Sequence, residues 1–129
     1  ILADMVRYAT ERTAFGRPIG HHQALAFLIT DMATAVDAAR MAVWRAAAII
    51  DRGQAASWEA AMALAEAAEQ ALFVGPSAVQ VLGGHGFMKD HPVEKYMRDI
   101  RTLASLCAGR DAAELAAAEL APEREIGLL

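Results

Sequence analysis

The stretch from His22 to Asp51, HQALAFLITDMATAVDAARMAVWRAAAIID, decides the fold. In it Leu25, Leu28, Met32, Val36, Ala39, Val43, Ala46 and Ile50 recur at steps of three and four. That spacing lays one apolar stripe along a helix about 45 Å long, at roughly 1.5 Å per residue. Gly53 marks its stop. Upstream, Leu2, Met5, Val6 and Ala9 keep helical spacing into Thr10-Glu11-Arg12, after which Gly16, Pro18 and Gly20 break the pattern. A short first helix and a loop are expected there.

Downstream, Ser57 is placed to cap a third helix, with Glu59 in the first turn suiting the positive end of the helix dipole. Trp58, Met62, Ala65, Ala68 and Leu72 carry that helix to Gly75-Pro76. Pro76 lacks an amide hydrogen and crowds the preceding turn, so the chain either kinks or breaks before resuming through Val79 to Leu82. Val93, Tyr96, Met97, Ile100, Leu103 and Leu106 then define a fourth helix ended by Gly109. Asp111 and Glu114 form a capping box for a last helix to Leu120, and Pro122 closes the pattern. Alanine-rich runs such as Ala46-Ala47-Ala48 favour helix and let helices approach closely. The expected fold is all-α: an up-down antiparallel four-helix bundle over residues 1–121, with an additional short C-terminal helix and a tail at 122–129. Its long helices leave side surface, with stripes of Leu, Met and Val, for a partner subunit.

Bulk properties narrow the function. With 129 residues, 56% of them hydrophobic, the chain has material for one domain with a sizeable core. Sixteen acidic and twelve basic residues are intermingled, which argues against a nucleic-acid platform and leaves room for an anionic cofactor held by a few arginines. The single cysteine, Cys107, gives neither a disulfide framework nor a CxxC metal or redox pair, as fits a cytoplasmic protein. No apolar run approaches the ~20 residues needed to span a bilayer. The chain opens on Ile1 rather than Met, as a fragment or processed piece would.

Two stretches exceed what a bundle needs. Arg12-Thr13-Ala14-Phe15-Gly16 offers a charge-assisted donor to a pyrophosphate beside an aromatic ring. Gln80 to Phe87 offers Gly83, Gly84 and Gly86 for close backbone approach, with the Gln80 amide one turn before them. Each also has a plain structural reading: a surface arginine with a loop-anchoring ring, and a glycine helix stop. The stretch lacks the G-x-G-x-x-G dinucleotide fingerprint. His21, His22, His85 and His91 form no coherent metal-ligand set and read as loop or capping residues. Glu94, Lys95, Arg98, Asp99 and Arg101 read as a salt-bridged helix face.

Taken in order, Tyr8-x-x-Glu11-Arg12-x-x-Phe15-Gly16, Pro18-Ile19, Gln23, Asp31-Met32, Ala39-Arg40, Gln80-Val81-Leu82-Gly83-Gly84-x-Gly86-Phe87 and Pro92-Val93-Glu94-Lys95-x-x-Arg98-Asp99 resemble the C-terminal helical domain of the acyl-CoA dehydrogenase family. The resemblance runs from Ile1 to about Leu120. It implies FAD as cofactor, with Arg12 on the pyrophosphate, Phe15 near the adenosine half and Gln23 supporting that region. Gln80, Gly83 and Gly84 match a second cofactor segment, contributed from the neighbouring subunit. It further implies an acyl-CoA substrate oxidised to its α,β-unsaturated thioester, and a homo- or hetero-oligomer, dimer or tetramer.

The family's base is commonly a glutamate directly before a glycine, some nine residues beyond the Arg-Asp pair. Here that region reads Leu106-Cys107-Ala108-Gly109, without a carboxylate, so no catalytic residue is assigned within the chain. Cys107 reads as a buried structural cysteine. Other members carry the base on the helix preceding this stretch. The resemblance includes neither the N-terminal helical nor the middle β domain that complete the flavin and thioester sites, so the chain by itself is expected to be inactive. The alternative is a non-catalytic oligomerisation or binding module derived from the same family.

Overall fold

The computed structural model describes residues 1–106 and 109–123, the last through its backbone alone. Helix α1 (Leu2–Glu11) buries Met5 and Ala9, four residues apart and so on one face, while Val6 points outward. Helix α2 (Gln23–Asp51) is unbroken over 29 residues and buries Met32, Ala35 and Ala46. The predicted stripe is only partly inward: Val43 and Ile50 near its C-terminal end are exposed. Helix α3 (Ser57–Leu82) runs through Pro76 without a break. Helices α4 (Val93–Ala104) and α5 (Gly109–Leu120) complete the set.

The directions follow from which residues meet. Arg45 of α2 lies beside Trp58 of α3, and Val36 beside Val74, so these helices are antiparallel. A Cβ on Gly75 would lie 3.3 Å from Met97 Cγ, and Ala68 shares a groove with Leu103, so α4 also descends along α3. Arg110 pairs with Glu69 at 3.3 Å and Leu120 reaches Trp58. Helix α5 therefore continues the course of α4 down the same side of α3, as one bent C-terminal arm. Four helical layers result, with α3 touching every other helix.

The two halves of the bundle pack differently. At one end Met5, Ile19, Met32, Val74, Val79, Val81, Leu82 and Val93 form a core of large side chains. At the other, the buried positions are mostly Ala46, Ala56, Ala63, Ala65, Ala68, Ala113 and Ala117. Alanine brings backbones close but buries little apolar area, whereas each large side chain fully buried contributes about 1.5–3 kcal/mol. The first end is the one that carries both glycine-bearing stretches.

Four local expectations change. The loop after Arg12 is a two-stranded hairpin, β1 (Thr13–Ala14) against β2 (Arg17–Pro18). Ser57 is the first residue of α3 rather than its cap: the Ala56 carbonyl accepts the Ala60 amide and so takes the cap position, where a methyl side chain has no acceptor to offer the free amides. Gly109 begins α5 instead of ending α4, which stops at Ala104 with Ser105 as its C-cap. Asp111 consequently lies inside the first turn of α5, and Glu114 accepts from Arg110 Nε at 2.7 Å, so no capping box forms with Asp111 as N-cap. Cys107 and Ala108 fall outside the described residues, as does the tail from residue 124.

Candidate functional site

Arg12 marks the end of α1. Its amide donates to the Tyr8 carbonyl at 2.8 Å, but its own backbone turns extended, φ −73° and ψ 122°, and leads into β1. The Arg12 carbonyl then accepts the Ile19 amide at 2.8 Å, closing the base of the hairpin. The guanidinium is exposed, with no hydrogen bond or ion pair among the described residues.

Ala14 pairs with Arg17, leaving Phe15 and Gly16 as the two-residue turn, both with positive φ (52° and 81°). A type I′ hairpin turn demands that pair of signs, and Gly16 meets it without cost. Phe15 does not: its Cβ resists the left-handed region, and its ring is 97% exposed. Strain of this kind costs about 1–3 kcal/mol and persists only where the surroundings enforce it. His22 is part of that enforcement. The Arg17 guanidinium donates to His22 Nδ1 at 3.3 and 3.4 Å, so the ring proton sits on Nε2, which donates to the Ala14 carbonyl at 3.0 Å. The same imidazole meets the Phe15 ring edge-on, centroids 6.0 Å apart. Gln23, exposed, opens α2 immediately after it.

The second stretch is shaped by backbone. Gln80, exposed, stands in the last turn of α3, which ends where Gly83 adopts φ +58°. The chain then makes a tight 3₁₀ turn over Gly83–Phe87. A Cβ on Gly83 or Gly84 would meet nothing within 4 Å, so both present bare backbone to open space. Gly86 is the opposite case: a Cβ there would lie 2.5 Å from the Val79 carbonyl oxygen, so only glycine lets the turn fold back on α3.

Both stretches lie at the same end of one chain. Glu11 and Leu82, the residues just before Arg12 and Gly83, line one cleft of about 230 Å³ together with Asp4, Arg7, Tyr8 and His91. From Tyr8, which lines this cleft, the hydroxyl hydrogen-bonds His85 Nδ1 at 3.2 Å. A larger hollow of about 550 Å³, among Ile49, Gln54, Trp58 and Leu120, lies at the opposite end of the bundle and carries none of these residues.

The residues matched are those of an acyl-CoA dehydrogenase C-terminal domain, over positions 1–118. The chain belongs to the acyl-CoA dehydrogenase family. It is 44% identical over 100 residues to an acyl-CoA dehydrogenase of Bacillus subtilis (strain 168), covering 78% of this chain and 26% of that protein. Butyryl-CoA dehydrogenase from Megasphaera elsdenii superposes with a TM-score of 0.90 at 32% identity, over 95% of this chain and 32% of that one. The FAD complex of PigA does so with a TM-score of 0.90 at 25% identity, over 96% and 32%. The chain thus spans about a quarter of the curated relative and a third of the solved structures.

Against the needs of a flavin dinucleotide, this acyl-CoA dehydrogenase domain offers a suitable surface. An uncommitted guanidinium can meet a phosphate, an exposed ring can cover an aromatic face, and two glycines leave space for close approach. The α4 motif behaves as its sequence indicates: Arg98 pairs with Glu94 at 2.5 Å and Lys95 with Asp99. The Arg98 hydrogen bond holds the Glu94 carboxyl below its ordinary value of 4.5, and Arg98 is raised in return. Among the described residues no group of His, Cys, Asp or Glu side chains is arranged to hold a metal ion, and no helix is long and apolar enough to cross a membrane. Sequence reading passed over Tyr8, Arg17 and His22 as working parts. Their signal was slight: Tyr8 stands one helical turn before Arg12, and Phe-Gly is a poor advertisement for a turn usually written Asn-Gly or Asp-Gly.

Proposed function

We propose that this domain holds part of an FAD in an acyl-CoA dehydrogenase acting on an acyl-CoA thioester, together with further domains or a partner subunit. The observation that carries the reading is the convergence of the Arg12 hairpin and the Gly83–Phe87 turn at one end of one chain. Arg12 would pair with the pyrophosphate, Phe15 would pack on the adenosine half, and Gln23 would support it. Gln80 would read a hydrogen-bonding edge, while the bare Gly83 and Gly84 backbone admits the cofactor closely. Because one chain supplies both segments side by side, a site shared between subunits would receive both from the same subunit.

Bound FAD supplies the hydride acceptor for the β-hydrogen of the thioester. Removal of the α-proton calls for a base within hydrogen-bonding reach; a carboxylate suits that task, and Cys107 and Ala108 supply none. The base belongs to another segment or chain, and the domain in isolation does not turn over substrate. A second reading, an assembly module without catalysis, is favoured by those same two residues; the uncommitted Arg12 favours the first.

The test is the flavin absorption spectrum of the protein purified with its natural partners, followed by titration of the Arg12→Ala variant. Loss of a charge-assisted hydrogen bond worth about 1.5–3 kcal/mol weakens FAD binding about ten- to hundredfold. Unchanged affinity removes Arg12 from the site. A complete assembly that binds no flavin leaves the assembly module as the function.

A further inference from the structure

We propose that Tyr8 is a positioning residue that ties the two cofactor segments to each other, so that flavin meets a surface already formed; this rests on the flavin reading above. Tyr8 grips the two sides with different atoms. Its carbonyl accepts the Arg12 amide at 2.8 Å, fixing the point where α1 gives way to the hairpin. Its hydroxyl bonds His85 Nδ1 at 3.2 Å, in the middle of the Gly83–Phe87 turn. His91 meets the Tyr8 ring edge-on at 5.4 Å between centroids, and His85 and His91 stand edge-on to each other at 6.0 Å, so the hydroxyl is aimed rather than free to swing.

From behind, Gly86 seats the turn against Val79, so α3 holds it on one side and α1 on the other. Cut the hydroxyl link and the turn keeps its packing on α3 and α4 but loses its hydrogen bond to α1. Gly83 and Gly84 then move independently of Arg12, and the cofactor must order the two segments as it binds, at a cost in affinity. The bond is solvent-exposed and spans 77 residues of sequence, so it matters more to the relative placement of two segments than to the stability of either.

The test uses the complete flavoprotein with Tyr8→Phe, His85→Ala, the double variant and His85→Asn, whose side-chain oxygen can accept the Tyr8 hydroxyl proton. FAD dissociation constants come from flavin fluorescence and Tm from the flavin-free protein. Each of the first two substitutions raises the dissociation constant about three- to tenfold, and the double variant binds no worse than either single one. His85→Asn recovers most of the affinity, and Tm moves by less than about 3 °C throughout. Additive losses, or a lowered Tm with unchanged affinity, overturn the proposal while leaving the flavin reading intact. Absence of flavin from the unaltered protein overturns both.

Discussion

The Arg12–Gly16 hairpin and the Gly83–Phe87 turn stand side by side, yet they are held by opposite means. The hairpin is kept by side chains: Phe15 sits in a strained turn, and His22 and Arg17 latch the strands from outside. Against α3 the turn is kept by the lack of them, with Gly86 pressed to the Val79 backbone and Gly83 and Gly84 left bare, and only the Tyr8–His85 bond ties it from the α1 side by side chains. The flavin role proposed for the first segment is therefore separable from stability, because an exposed guanidinium or ring can be removed without opening the core. On the second the two are fused at Gly86 and separable at Gly84, within three residues.

The largest expected effect breaks the comparison on the turn side. Gly86→Ala forces a Cβ to within 2.5 Å of a backbone oxygen that cannot step aside. Overpacking of this kind costs about 2–3 kcal/mol, a fall in Tm on the order of 10 °C by circular dichroism. Gly84→Ala, whose Cβ enters open space, leaves Tm nearly unchanged and lowers FAD affinity instead. Equal Tm values for the two variants would show that the close approach at Gly86 does not hold the turn.

A middle-sized effect sharpens the hairpin side. Phe15→Gly relieves the positive-φ strain, which offsets the added freedom of glycine in the unfolded chain. Tm holds or rises by an amount worth up to about 1 kcal/mol, while FAD affinity falls. A Tm that drops by several degrees would mean that the exposed ring supports the fold rather than the ligand.

The smallest effect is the baseline, an exposed ion pair on α4 that belongs to neither segment. Glu94 is depressed by its Arg98 hydrogen bond, so its contribution to stability is complete above its unfolded value of 4.5 and fades as pH falls through the lower folded value. Glu94→Gln removes that acid-limb dependence and hardly changes Tm at neutral pH, since the pair is exposed. Thermal melts between pH 3 and pH 7, on the order of one reading per half unit, check it.

Much of the bundle was legible because helices announce themselves through local spacing. The 29-residue α2 follows from its apolar period, and Met5, Ala9 and Val93 take the buried places that their positions indicate. Exposed Leu103, Leu106 and Ile50 show where periodicity stops being informative. An apolar residue on a long helix is recorded by the sequence whether or not a neighbour exists to cover it. The candidate site was legible as two separate segments, since arginine, phenylalanine and clustered glycines stand out in an alanine-rich chain.

The sequence by itself determined the helical class and the family, and it singled out the residues proposed to meet an anionic aromatic cofactor, because those depend on residue type and short-range order. Tertiary structure decided what joins them. That α5 continues α4 down one side of α3, that Tyr8 reaches His85 across 77 residues, and that His22 latches a strained hairpin all depend on how distant segments come together. Contacts of that range leave no local period to read, and they are fixed only when the large side chains of the core draw the ends of α1 and α3 together.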